Sequence, residues 1–157
     1  MKIQMWVVGK TTQHFVAEGL AEFFGRIGHY LPFEMQTIPG VKNAKNLSPE
    51  QVKEKEGENI LKLIQPGDCI VLLDEHGKEL SSLQLAEYLE RKTHTVSKSL
   101  VFIVGGAYGF SPKALAAAQE KISLSKMTFS HQLIRLIFAE QLYRALTIIN
   151  NEPYHHE

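Results

Sequence analysis

The chain has 157 residues, 44% of them apolar, enough for one domain that buries roughly 70% of its unfolded surface. Its 17 basic and 17 acidic side chains cancel to a formal net charge of zero. That excludes the basic field of a protein gripping nucleic acid indiscriminately, so any RNA contact must be a local patch or a shaped partner. A single cysteine, Cys69, rules out an internal disulfide and a cysteine metal site.

Ile3 to Val8 is an apolar run of strand formers ending at Gly9, and it predicts a first buried strand. The run is too short for a signal peptide, and no window approaches the ~18 apolar residues of a membrane span, so a cytoplasmic protein is expected. Thr12 to Tyr30 has helical spacing, with Phe15, Leu20, Phe23, Phe24 and Ile27 near one stripe. Phe33 to Ile38 alternates as a second strand, and Pro39-Gly40 breaks it. Lys42, Asn43, Lys45 and Asn46 make the next loop polar and locally basic.

Ser48-Pro49-Glu50-Gln51 predicts a helix start. The serine caps, the proline sits where its missing N–H costs nothing, and Gln51 reaches back as a capping box. That helix should run to Gln65, where Pro66-Gly67 stops it. Cys69 to Leu73 reads as a third strand with the cysteine a small buried residue, and Asp74-Glu75-His76-Gly77 as the turn after it. A second box, Ser81 to Gln84, opens a helix to His94. Leu100 to Val104 is apolar throughout, as a strand covered on both faces must be. A short helix from Ser111 to Gln119, a short strand at Ile122 to Leu124 and a helix from Ser130 to Ile149 complete the order. Apolar residues cover most of the last helix's circumference, and a partner subunit is the expected cover.

The alternation of strands and helices predicts an α/β fold, a mostly parallel sheet with helices on both faces. Such sheets bind ligands beyond the carboxyl ends of their strands. Those ends are Gly9-Lys10, Asp74 to Gly77, Gly105 to Gly109 and Ser125 to Phe129. The run Gly105-Gly106-Ala107-Tyr108-Gly109 is neither a dinucleotide fingerprint nor a phosphate loop. On residue types alone a tight strand-to-helix turn and a close-approach ligand loop are equally good readings. For Ser125 to Ser130, an ordinary loop with an N-cap at Ser130 is the commoner outcome, and a wrap around a flat ligand such as adenosine is the alternative. Glu140 and Arg144 are spaced for an ion pair, while Arg135 and Arg144 offer the other option of facing RNA phosphate. His14, His29, His76, His94 and His131 make no pair at ligand spacing, so no metal is assigned.

Four segments read together narrow these options. They are Val104 to Gly109, Leu124-Ser125-Lys126-Met127-Thr128-Phe129-Ser130-His131-Gln132-Leu133, Glu140 to Ala145, and Pro153-Tyr154-His155-His156. With Met1-Lys2-Ile3 through Lys10, Glu54-Lys55-Glu56-Gly57 and Leu73 to Lys78, the whole chain resembles the bacterial large-subunit rRNA pseudouridine N3-methyltransferases. That family is a minimal member of the SPOUT class. The residues after the glycine pair, Ala107 and Tyr108, fall where members of that family vary, so the resemblance assigns them no individual role.

The resemblance implies one SPOUT methyltransferase domain over residues 1–157, with a C-terminal trefoil knot, and a homodimer. It implies S-adenosyl-L-methionine as cofactor, its contacts falling on Leu73, Gly105, Leu124, Ser125, Lys126, Met127, Thr128 and Phe129. The implied substrate is a pseudouridine of 23S rRNA in the assembled ribosome, with no membrane and no metal. In that scheme His155 is the base or proton relay, and Arg144 and Tyr154 place the RNA; a dimer opens the other subunit's cofactor site to them as well. His131, at a helix start, is expected to be structural. The bends near residues 73, 105 and 127 should converge on one adenosyl group beside the carboxyl tail. The competing functions are a nucleotide- or flavin-binding α/β module using the helix start at Ser111-Pro112, and a non-enzymatic ribosome-associated factor.

Overall fold

The computed structural model describes residues 1–156. Five strands, β1 (Lys2–Val8), β2 (Phe33–Ile38), β3 (Asp68–Glu79), β4 (Ser99–Val104) and β5 (Glu120–Ser123), alternate with five helices. The helices are α1 (His14–Ile27), α2 (Pro49–Leu63), α3 (Ser82–Thr95), α4 (Pro112–Ala117) and α5 (Leu133–Ile149). The strands lie in the order β2-β1-β4-β3-β5, and every neighbouring pair is parallel.

Strand periodicity divides the core into two. Ile3, Met5, Val7, Val71, Leu100, Phe102 and Val104 face one side, where α1, α3 and α5 pack. Trp6, Val8, Ile38, Ile70, Leu72, Val101 and Ile103 face the other, against α2 and α4. Both expected capping boxes form. Ser48 Oγ accepts from Gln51 N at 3.2 Å and Ser48 N donates to Gln51 Oε1 at 2.9 Å. The same pair of bonds joins Ser81 and Gln84 at 3.1 and 2.8 Å. Helix α5 is buried along Phe138, Ala139, Leu142, Ala145 and Leu146 between α1 and α3, which leaves Leu133, Ile137 and Ile148 only half-covered.

Element ends differ from the sequence expectation in ways that have causes. Helix α1 is shorter at both ends, α4 stops at Ala117 and β5 starts at Glu120. Helix α5 begins at Leu133, although Ser130 Oγ still accepts from Leu133 N at 3.0 Å. The larger correction is β3, which does not end at Leu73. Leu73 and Lys78 both align with Ile122 of β5, so residues 74–77 leave the ladder and return to it. This excursion needs a glycine where it closes. A Cβ on Gly77 would stand 2.7 Å from Ile122 N and 2.7 Å from the Lys121 carbonyl carbon, both backbone atoms that cannot step aside.

A Gly77→Ala chain must therefore spread β3 from β5. We expect a loss of about 2 kcal/mol, read as a fall of roughly 5 °C in thermal midpoint. A melt within 1 °C of the parent, measured by circular dichroism, would show that the excursion tolerates a side chain.

Candidate functional site

The connections of the sheet open a crevice at one place. Strand β3 sends its chain into α3 on one face, while its neighbour β4 sends its chain into α4 on the other. Adjacent strands whose continuations part this way leave a gap beyond their carboxyl ends. A cleft of about 290 Å³ lies there, lined by the residues 73–75, 104–110, 123–125 and 127–129 together with His131 and Ile134. This is at the small end of ligand pockets.

Three loops thus converge. Leu73, Gly105, Leu124, Ser125, Met127, Thr128 and Phe129 all line the cleft, and Lys126 does not. The local geometry explains the exception. Ser125 Oγ accepts from Met127 N at 2.9 Å, closing a turn with residue 126 at its apex. Ser123 Oγ donates to the Ser125 carbonyl at 2.8 Å, and Thr128 Oγ1 donates to Glu75 Oε2 at 3.3 Å, tying this loop to the excursion of β3.

The glycine loop is a tight turn as well as a ligand-facing one. Gly109 N donates to Gly106 O at 3.2 Å, and Gly109 has φ +84°. Behind it lies Glu56 of α2, a residue the sequence offered only as part of a motif. A Cβ on Gly106 would fall 2.5 Å from Glu56 Oε2. Glu56 is 8% exposed, its Oε1 has no hydrogen-bond partner, and burial pushes its carboxyl above the ordinary range. Tyr108, at the tip of the turn, and Met127, on the facing loop, are large apolar side chains left exposed at the cleft.

One reading at the start of α5 needs revision. Arg135 does not face phosphate: it is fully buried and donates to the carbonyls of Val8, Gly9 and His131 and to Thr11 Oγ1 at 2.8 to 3.1 Å. His131, expected to be structural, lines the cleft. Burial, and then the Arg135 cation, push its imidazole below the ordinary value, which favours the neutral form.

The tail residues form a separate cluster. Arg144 donates to Glu140 Oε1 through Nη2 at 2.8 Å and Nε at 3.2 Å, and its Nη1 is 3.1 Å from His155 Nδ1. The Tyr154 hydroxyl donates to the same Glu140 oxygen at 3.2 Å, and the guanidinium lies 4.8 Å from the Tyr154 ring centre. Burial, then the Glu140 charge, push the Tyr154 phenol upward. Arg144, Tyr154 and His155 are brought together, but none of them lines the cleft. From Ile134, which does, Arg144 is ten residues along α5, or ~15 Å at the helical rise. Within one chain the tail does not stand beside the cradle.

Among the described residues no three His, Cys, Asp or Glu side chains gather as a metal cluster, and no helix is long and apolar enough to cross a membrane.

An all-parallel α/β sheet with a loop-built cleft at the parting of two strands is the frame of a ligand-binding enzyme. Comparison with known proteins makes this specific. The family model described as "Predicted SPOUT methyltransferase" matches residues 1–155, and the chain belongs to that family. It is 64% identical over 157 residues to a Parabacteroides distasonis protein named "Ribosomal RNA large subunit methyltransferase H", each chain covered in full. Proteins of the same name from Phocaeicola vulgatus and Porphyromonas gingivalis are 62% and 50% identical, again over all of both chains. Among solved structures, a probable methylase family protein from Haemophilus influenzae is similar at TM-score 0.48 and 14% identity, over 95% of this chain and 66% of that one.

Glu56 gives the site a pH signature. A carboxyl raised in the folded state binds its proton more tightly there than in the unfolded chain. Its stabilising effect is therefore complete below the unfolded value and is lost as pH rises through the folded one. Thermal midpoints of the parent should fall relative to Glu56→Gln as pH climbs from the ordinary value of 4.5. Parallel profiles for the two proteins would contradict this.

Proposed function

We propose that this chain transfers a methyl group from S-adenosylmethionine to N3 of a pseudouridine in 23S rRNA, on the assembled ribosome, as a cytoplasmic homodimer. The observation that carries the proposal is the convergence of residues 73–75, 104–110, 123–125 and 127–129 on one cleft, in a chain whose full-length relatives bear the rRNA methyltransferase name.

The donor set fits this cofactor. Main-chain groups of the glycine turn and of the 124–129 loop would hold the adenosyl part. Asp74 and Glu75 also line the cleft, and carboxylates favour a cationic sulfonium there. When bound, S-adenosylmethionine supplies an electrophilic methyl group on sulfur. The same carboxylates disfavour the phosphates of a nucleotide or flavin. The helix start weighed for such a ligand is already engaged by its own chain. Ser111 Oγ already caps Ala114 N at 3.2 Å, and α4 is only six residues long.

The target nitrogen must lose its proton before it accepts a methyl group. His155 is the group we assign as base or relay, with Arg144 and Tyr154 placing the RNA. Because that cluster lies ~15 Å along α5 from the cleft, it serves a second subunit's cofactor in this scheme. The half-covered apolar residues Leu133, Ile137 and Ile148 of α5 supply a surface for such a subunit. The trefoil knot has its own support. Strand β5 lies beyond β3 at the sheet edge, yet the chain after it returns to place α5 between α1 and α3.

Unmodified ribosomes incubated with labelled cofactor should gain one methyl group, mapped to N3 of a pseudouridine in 23S rRNA. Ribosomes that bind the protein but stay unlabelled would support a non-enzymatic factor instead. His155→Ala should lower the single-turnover rate by ~100-fold with cofactor affinity preserved in calorimetry, and an unchanged rate would remove His155 from the chemistry. Light scattering at micromolar concentration should return a dimer mass, whereas a monomer that retains activity would refute the shared site.

A further inference from the structure

The protein has no net charge to hold RNA, yet positive charge gathers at one place on it. A second groove, of about 500 Å³, lies between the carboxyl end of β2 and the outer side of α2. Lys42, Lys55 and Lys62 line it against a single carboxylate, Glu58, with Asn59 between them. Each of the three lysines is exposed. None takes part in any of the ion pairs among the described residues, although Lys2, Lys53 and Lys92 elsewhere do. These cations are left uncompensated around a concave surface.

Strand register fixes where this groove stands. Val8 aligns with Ile38 and Val7 with Val104, so the groove and the cofactor cleft open on the same edge of the sheet. Strand β2 is two positions from β4, about 10 Å at the usual strand spacing. A polyanion whose target base sits at the cleft would pass its backbone over the lysines one or two nucleotides away. We propose that Lys42, Lys55 and Lys62 form a docking groove for RNA backbone phosphates, contacts that position the substrate and carry no sequence information. The inference rests on the rRNA function proposed above and deepens it: ribosomal engagement is concentrated in this groove.

The test is a Lys42→Gln, Lys55→Gln, Lys62→Gln chain compared with the parent, with circular dichroism and calorimetric binding of S-adenosylmethionine as controls for folding. Cofactor affinity should stay within twofold. Affinity for ribosomes in filter binding should fall at least tenfold at physiological salt. The slope of log affinity against log salt should flatten by about 2 to 3, since each of the three lost phosphate contacts removes roughly 0.7 to 0.9 of a released counterion. In turnover, KM for ribosomes should rise while kcat at saturation stays within about twofold. A variant with the parent's slope and affinity would overturn the groove while leaving methyl transfer standing. A parent that methylates nothing but still loses salt-dependent binding on substitution would sink the activity and keep the groove. A parent with no salt-dependent ribosome binding would overturn both. Should the triple variant fail to fold, Lys55→Gln alone must still flatten the slope by close to 1, and an unchanged slope there overturns the groove.

Discussion

Arg135 is the tie on which the cleft depends. Its guanidinium is wholly buried and reaches from the first turn of α5 to the end of β1, bonding the Val8 and Gly9 carbonyls and Thr11 Oγ1 across more than 120 residues of chain. Gln132 reinforces it, accepting from Thr12 N at 2.8 Å and donating to the Lys10 carbonyl at 3.0 Å. A buried cation is costly unless its donors are satisfied, and here they are spent on strand-end carbonyls that would otherwise lack partners. The segment between β5 and α5 is therefore pinned at its far end, and residues 124–131 must bend back over the sheet edge. That bend is one wall of the cleft.

The other walls come from the same economy of backbone. Each is a place where a strand end gives up regular pairing. Residues 74–77 leave the β3 ladder and rejoin it against Ile122, and residues 105–109 fold into a turn against Phe110 and Glu56. At 77 only glycine permits the contact, because a Cβ there would stand 2.7 Å from backbone atoms of β5, and at 106 a Cβ would displace the Glu56 carboxylate. Two bonds brace the loops around the cleft, Thr128 on Glu75 and Ser123 on Ser125, and the buried Glu56 carboxyl packs behind Gly106. Loops braced in this way leave less to order when a ligand binds.

Much of this was legible from residues alone. The five strands, the two capping boxes and the carboxyl edge as ligand side follow from periodicity and from serine, proline and glycine placement. The excursion of β3 was not, because Asp74 to Gly77 has the composition of a turn whether the strand ends there or resumes. Arg135 was misjudged for a related reason. A cation on a helix reads as solvent-facing, and only the three-dimensional approach of β1 supplies the carbonyls that pay for its burial. Glu56 carried no local signal either, since Glu54, Glu56 and Glu58 differ in sequence only by which side of α2 they occupy.

The separation of cleft and tail constrains how the proposed chemistry is divided. Glu140 takes bonds from Arg144 and from the Tyr154 hydroxyl, while Arg144 also meets His155 and the Tyr154 ring. The Tyr154 ring in turn packs edge-on against Tyr143, 4.8 Å between centres, and so joins the tail to the body of α5. The tail is consequently set in its geometry by its own chain, without help from any ligand. In the proposed dimer, the cleft of one subunit and the tail of the other meet only through the relation of the two chains. Near-attack geometry between a methyl donor and a ring nitrogen tolerates little displacement. The interface between subunits is then itself part of the catalytic alignment. In that scheme a substitution on the half-covered face of α5, at Leu133 or Ile137, would act on rate through that alignment.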